Sequence, residues 1–110
     1  MKVAEFEKQT GISRDTLRYY EKIGLLTPPM RADNGYRYYG QVQLKELAFI
    51  ERGKIIGFTL TEIKAGYKRY QALGSLCPEF SKQLREKKAL LAKRISKDRN
   101  AIAVINDMLK

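Results

Sequence analysis

Leu17-Arg18-Tyr19-Tyr20-Glu21 and, some eighteen residues on, Gly35-Tyr36-Arg37-Tyr38-Tyr39 are the stretches whose reading decides the fold. The first lies in a segment with both helix ends written into it. Ser13 stands ahead of it as a cap, because its side-chain oxygen can accept from the free backbone donors of a first turn, and Asp15 suits the positive end of the helix dipole. Gly24 stops the helix just past Ile23. The second cluster follows Thr27-Pro28-Pro29, which cannot continue a helix, and Asp33-Asn34-Gly35, whose residues tolerate a positive φ. Tyr36 to Tyr39 has strand composition, so residues 26–39 are predicted to form a two-stranded wing.

Working outward, Val3 to Gln9 is a short helix with Val3 and Phe6 on one face, ended by Gly11. Two short helices joined by a glycine-bearing turn have the form of a helix-turn-helix. Gln41 to Ile56 regains helical spacing through Leu44, Leu47, Ala48 and Ile55 and closes at Gly57. Thr59-Leu60-Thr61-Glu62 is a capping box that opens a further helix to about Leu73. After Cys77-Pro78 nothing breaks the chain. Leu84, Leu91 and Ile105 share one heptad position and Ile95, Ile102 and Leu109 the other, with Lys88 and Asp98 as polar intruders. Such a stripe must pair, either with a second copy, which is favoured, or back onto the globular part. The predicted architecture is mainly α: a winged helix-turn-helix over residues 1–75 and a long dimerisation helix over residues 76–110.

The 110 residues hold 22 Lys plus Arg against 12 Asp plus Glu, a net charge of +10, which suits a polyanionic partner. The excess does not sit with the arginine-tyrosine clusters. Residues 1–60 carry ten basic and seven acidic side chains, whereas residues 81–110 carry nine and three. The basic residues of the long helix are expected to be solvated faces, so arrangement rather than net charge has to carry a nucleic-acid argument. No histidine is present, which removes His-based acid-base chemistry and His metal ligands. With one cysteine, Cys77, no disulfide framework forms within the chain; a cytoplasmic location, no membrane span, no cofactor and no enzymatic activity are expected.

On the second helix Arg14, Arg18 and Tyr19 project to roughly one side while Leu17 and Ile23 turn inward. That is how a recognition helix offers donors to a major groove, its N-terminal residues Ser13, Arg14 and Thr16 nearest the bases. The Arg18 guanidinium suits phosphate oxygens, or else braces Glu21 or Glu51. One of Tyr19 and Tyr20 is expected to be partly core. In the wing, Tyr36 and Tyr38 share one face and Arg37 and Tyr39 the other, and one of those faces packs on the helices.

The ordered pattern TGISRDTLRYYEKIGLLTPPMRADNGYRYYGQVQLKELAFIERGKIIGFTLTEI, residues 10–63, resembles the DNA-binding domain of the MerR family of bacterial transcription regulators and covers about half of the chain. The resemblance implies a homodimer held by a long antiparallel coiled coil, bound to a pseudo-palindromic site in double-stranded promoter DNA. It also implies that RNA polymerase is engaged indirectly, the regulator bending and untwisting an overlong promoter spacer. Carried over residue by residue, it implies DNA contacts from Ser13, Arg14, Thr16, Arg18, Tyr19 and Tyr20, from Tyr36, Arg37 and Tyr38 of the wing, and from Lys54 as a phosphate ligand.

Metal-sensing members of that family place one cysteine before the dimerisation helix and further thiolates after it. Cys77 matches the first position, but no second cysteine occurs in these 110 residues, so a protein-only metal site is not expected. Cys77 is left as an inert buried thiol or as an effector or redox residue, and the small-molecule effector is not named by the sequence. Phe58, Tyr67 and Tyr70 form either a short aromatic pocket or core. Two other readings stand beside the regulator: an architectural, excisionase-like DNA-bending protein, and a coiled-coil interaction module.

Overall fold

The computed structural model describes residues 1–110 and contains five helices and one small sheet. Helix α1 spans Val3–Thr10 and α2 Arg14–Lys22. The turn between them works because Gly11 takes φ 73° and donates its N–H to the Glu7 carbonyl, a backbone shape closed to most L side chains. Ser13 caps α2 as expected, accepting from the Thr16 N–H at 3.2 Å. Strands β1, Met30–Arg31, and β2, Arg37–Tyr38, pair antiparallel with Met30 opposite Tyr38 and Arg31 opposite Arg37.

The wing is therefore shorter than residues 26–39. Leu26 is buried in the core, and the two prolines that follow carry no N–H for a sheet ladder. The second strand is steadied at its other edge by Lys2, which bridges Tyr38, and by the Tyr39 N–H, which donates to the Met1 carbonyl at 2.7 Å. Tyr39 turns inward and stacks on Phe6 with ring centroids 4.5 Å apart, which fixes which wing face packs on the helices.

Helix α3 spans Gln41–Ile56 and α4 Leu60–Leu73, with the expected Thr59/Glu62 capping box between them. The buried face of α3 differs from the predicted stripe. Ala48 and Ile55 are exposed, Ile55 to 85%, and the residues that face inward are Gln43, Glu46, Leu47, Ile50 and Gly53. The inward face is rotated by roughly a third of a turn from the apolar reading, because two polar residues and a glycine occupy it. Gly53 and Gly66 are the contact points of the helices: a Cβ at Gly53 would lie 2.6 Å from the Ile63 side chain, and one at Gly66 2.8 Å from the Phe80 ring.

Helix α5, Pro78–Met108, starts with Pro at its first position and Cys77 as its cap. Phe80 is buried and Leu84 is half-buried against the core, so Leu84 belongs partly to its own globular unit rather than wholly to a dimer seam. Lys87 closes this root, its ammonium 5.4 Å from the Phe58 ring centre and 3.5 Å from the Gly57 carbonyl. Beyond it the helix projects into solvent rather than folding back. Leu91, Ile95, Ile102, Ile105 and Leu109 are exposed, together with Leu90, Val104 and Met108, which the heptad reading leaves out. The molecule is accordingly long, 68 × 36 × 19 Å. No helix is long and apolar enough to cross a membrane.

Candidate nucleic-acid interface

The outward face of α2 is built by its inward one. Leu17 and Tyr20 are buried to 0% and 3% exposure, which leaves Arg14, Asp15, Arg18 and Tyr19 in solvent. Ser13 Oγ donates to Thr16 Oγ1 at 2.9 Å while accepting the Thr16 N–H, so the first turn presents two ordered hydroxyls. Arg14 Nε donates to Glu7 Oε1 at 2.8 Å. Arg18 makes no ion pair, neither with Glu21 nor with Glu51.

Two hollows flank this helix. The first, of about 320 Å³, lies between α2 and the wing and is lined by Arg14, Arg18, Arg31 and Arg37 with Val3, Gly35 and Tyr36. Four arginines thus share one hollow. Arg31 and Arg37 face one another directly across the two strands, an unfavourable like-charge pairing that an anion between them would reverse. Glu7 and Glu21 stand at the edges, Glu21 Oε2 lying 3.4 Å from the Arg37 guanidinium. Tyr36 is 64% exposed at the rim, its N–H donating to Asn34 Oδ1 at 3.2 Å, and Tyr38 is exposed on the outer strand face.

The second hollow, on the opposite flank, is lined by Thr16, Tyr19, Tyr20, Lys54, Gly57, Phe58, Thr59 and Leu60. Lys54 Nζ donates to the Tyr20 hydroxyl at 3.4 Å and lies 3.9 Å from Glu51. The Tyr20 hydrogen bond first, and then the nearby charges, hold the Lys54 ammonium above its ordinary pKa, so it stays charged throughout the neutral range. Of the two tyrosines, one of which was expected to be partly core, Tyr20 is the buried one, and its hydroxyl borders the hollow, while Tyr19 is exposed. Of the ten residues singled out in the sequence, four line the first hollow, four the second, and Ser13 and Tyr38 sit outside both.

Sequence reading missed Arg31 and Thr59. Arg31 was findable: a turn centred on Asp33-Asn34, closed by the Gly35 N–H to the Ala32 carbonyl at 2.9 Å, places residue 31 opposite 37. Cys77 lies away from both hollows, buried, its sulfur accepting the Phe80 N–H at 3.3 Å. Phe58, Tyr67 and Tyr70 do not share one pocket: Phe58 borders a hollow with Phe49 and Phe80, and Tyr67 borders another beside Glu46. They belong to a ring cluster with Phe49 and Phe80, centroid separations running from 5.0 to 6.3 Å.

Comparison with known proteins places this geometry in context. A family described as "MerR family regulatory protein" matches residues 2–39, and one described as "MerR, DNA binding" matches residues 44–108. The HTH-type transcriptional regulator CueR of Salmonella typhi is 42% identical over 62 residues, 56% of this chain and 45% of that protein, so the chain spans about half the length of that relative. Heavy metal-dependent transcription regulator 2 of Rhizobium meliloti is 32% identical over 110 residues, 100% of this chain and 70% of that protein. Among solved structures, the N-terminus of the Bacillus subtilis multidrug transporter activator, MtaN, matches with a TM-score of 0.69 at 32% identity, covering 99% of this chain and 97% of that one.

Proposed function

The chain belongs to the MerR family of regulatory proteins, and on that footing we propose that it is a sequence-specific DNA-binding transcription regulator acting as a homodimer. The observation that carries the reading is the pair of cationic hollows on either side of α2. A helix seated in a major groove is flanked by two phosphate backbones, the groove being about 12 Å wide. Here one flank offers Arg31 and Arg37 and the other Lys54 beside the Tyr20 hydroxyl.

In this reading Ser13, Arg14 and Thr16, at the N-terminal end of α2, meet base edges. Arg18 and Tyr19 run along the groove walls. Arg37 and Arg31, with Tyr36 and Tyr38 beside them, grip phosphates or enter the adjoining minor groove, and Lys54 holds the opposite strand. Residues 1–75 form the DNA-binding unit and residues 76–110 the dimerisation helix, with the Phe80 and Leu84 turns rooted in the former. The exposed Leu91, Ile95, Ile102, Ile105 and Leu109 pair with the same stripe of a second copy running antiparallel. A fixed dimer spacing makes DNA shape the regulated quantity: the protein bends and untwists a promoter spacer, at a cost of several kcal/mol, roughly, for strong bending, and RNA polymerase responds to the altered promoter.

Transcription in vitro from two otherwise identical promoters, one with an overlong spacer, tests this. The chain should change output from the overlong promoter that carries its binding sequence and leave the other alone. Equal output from both, together with unbent DNA in a circular-permutation gel, would overturn it.

A further inference from the structure

The wing that supplies Arg31 and Arg37 has almost nothing of its own to hold it still. Each strand has two residues, Met30 is 81% exposed, and Arg31 and Tyr38 are also in solvent. A two-stranded hairpin alone is marginal in water. Beside the Lys2 bridge to Tyr38, the Tyr39 stack on Phe6 and the Arg37–Glu21 pair, what fixes it lies at its legs. At the incoming leg the Thr27 N–H donates to Glu46 Oε1 at 2.9 Å, the Thr27 hydroxyl donates to Glu46 Oε2 at 2.7 Å, and Gln43 Nε2 donates to the Thr27 carbonyl at 3.2 Å. At the outgoing leg the Gly40 N–H donates to Gln43 Oε1 at 2.9 Å. Two side chains one turn apart on α3, 5% and 6% exposed, thus grip both ends of the hairpin and give each polar group of Thr27 a partner.

A carboxylate is costly to bury unless its oxygens are satisfied, and an apolar residue of the same size would fill the space without that cost. What the carboxylate adds is direction: charge-assisted bonds to a backbone N–H and a hydroxyl fix the angle at which the chain leaves the core. We propose that Glu46 and Gln43 are positioning residues for DNA binding, setting the wing so that Arg31 and Arg37 meet the phosphate backbone already ordered. The proposal rests on the regulator reading above. It also connects the wing to the dimer helix, since α3 packs on α4, and Phe80 of α5 closes against Gly66 of α4.

The test uses the full chain and a labelled duplex enriched from a randomised pool by the wild-type protein, with affinity measured by anisotropy across a salt series. Glu46→Ala lowers affinity about tenfold, while the slope of log K against log salt is unchanged, because the arginines still reach their phosphates once the wing is ordered. Arg37→Ala instead lowers the slope by about one. In the double variant the Glu46→Ala loss largely disappears, since the clamp acts through the wing. Glu46→Gln, which can bond both Thr27 groups after the hydroxyl turns to accept, restores most of the affinity. Should Glu46→Ala not fold, Thr27→Val removes a single clamp bond and gives the same pattern at about threefold. A fall in melting temperature with unchanged affinity, or Glu46 and Arg37 losses that multiply independently, overturns the positioning role and makes Glu46 core filler. Failure of the wild type to enrich any duplex is a separate result: it removes the regulator reading and this proposal with it.

Discussion

Arg37 of the wing and Glu21 of the recognition helix stand 3.4 Å apart, guanidinium nitrogen to carboxylate oxygen, at the edge of a cleft that three further arginines line. Both side chains are mostly covered, 25% and 18% exposed, and Glu21 Oε2 is buried without a hydrogen bond. The carboxylate thus partly neutralises the arginine that a phosphate would otherwise take. Glutamine keeps the size of the covered carboxylate and one acceptor oxygen, and removes only its charge. Glu21→Gln should therefore leave the fold intact and raise DNA affinity about two- to fivefold at low salt, an advantage that fades as screening increases. Anisotropy titrations at two ionic strengths check this.

Dimerisation should depend on single residues far from the DNA face. Ile95 and Ile102 are 52% and 57% exposed on the projecting part of α5. Ile102→Lys places a charge in the seam and should shift sedimentation towards monomer at micromolar concentration. Helix content should fall only where the unpaired end of α5 frays.

The close approach of α3 and α4 predicts a glycine effect opposite to helix propensity. Alanine normally gains about 1 kcal/mol over glycine inside a helix. At Gly53 the new methyl would lie 2.6 Å from Ile63, which is fully buried and has nowhere to move. Overpacking of that kind costs about 1–3 kcal/mol, so Gly53→Ala should lower the denaturation midpoint. Alanine at Gly11, which has open space around it but φ 73°, should destabilise through the backbone alone.

Acid should loosen the α3–α4 junction through Glu62. The Thr59 N–H, donated to its carboxylate at 2.9 Å, is the main cause that holds the Glu62 carboxyl below its ordinary pKa; the Thr59 side chain adds to it. A depressed carboxylate contributes stability that is full above the unfolded-state pKa and is lost as pH falls through the folded one. Melting curves of the wild type and Glu62→Gln should differ at neutral pH and converge on acidification, the wild type losing its advantage.

The local signals in the chain were legible and the non-local ones were not. Ser13, the Thr59/Glu62 box and the glycines at 11, 24, 57 and 74 act within a few residues of themselves, so helix ends read directly from spacing. The α3 face did not, because Glu46 and Gln43 count as polar until Thr27, nineteen and sixteen residues away, is brought against them. Tyr20 and Tyr19 are chemically alike side by side, and only the helix phase against Leu17 decides which ring is buried. The same holds for Leu84, whose heptad register says seam while its place at the root of α5 says core. Arg31 stayed unseen because the wing was read as long and continuous, which hid the register that sets it opposite Arg37.

Whether α2 and its two flanking hollows grip duplex DNA is decided by the salt dependence of binding to a wild-type-selected duplex. Arg18 is exposed and unpaired, so its removal should leave stability within about 0.5 kcal/mol. Arg18→Ala and Arg37→Ala should each weaken binding and each reduce the log K against log salt slope by about one. Unchanged affinity and slope in both folded variants would mean that neither α2 nor the wing meets the phosphates.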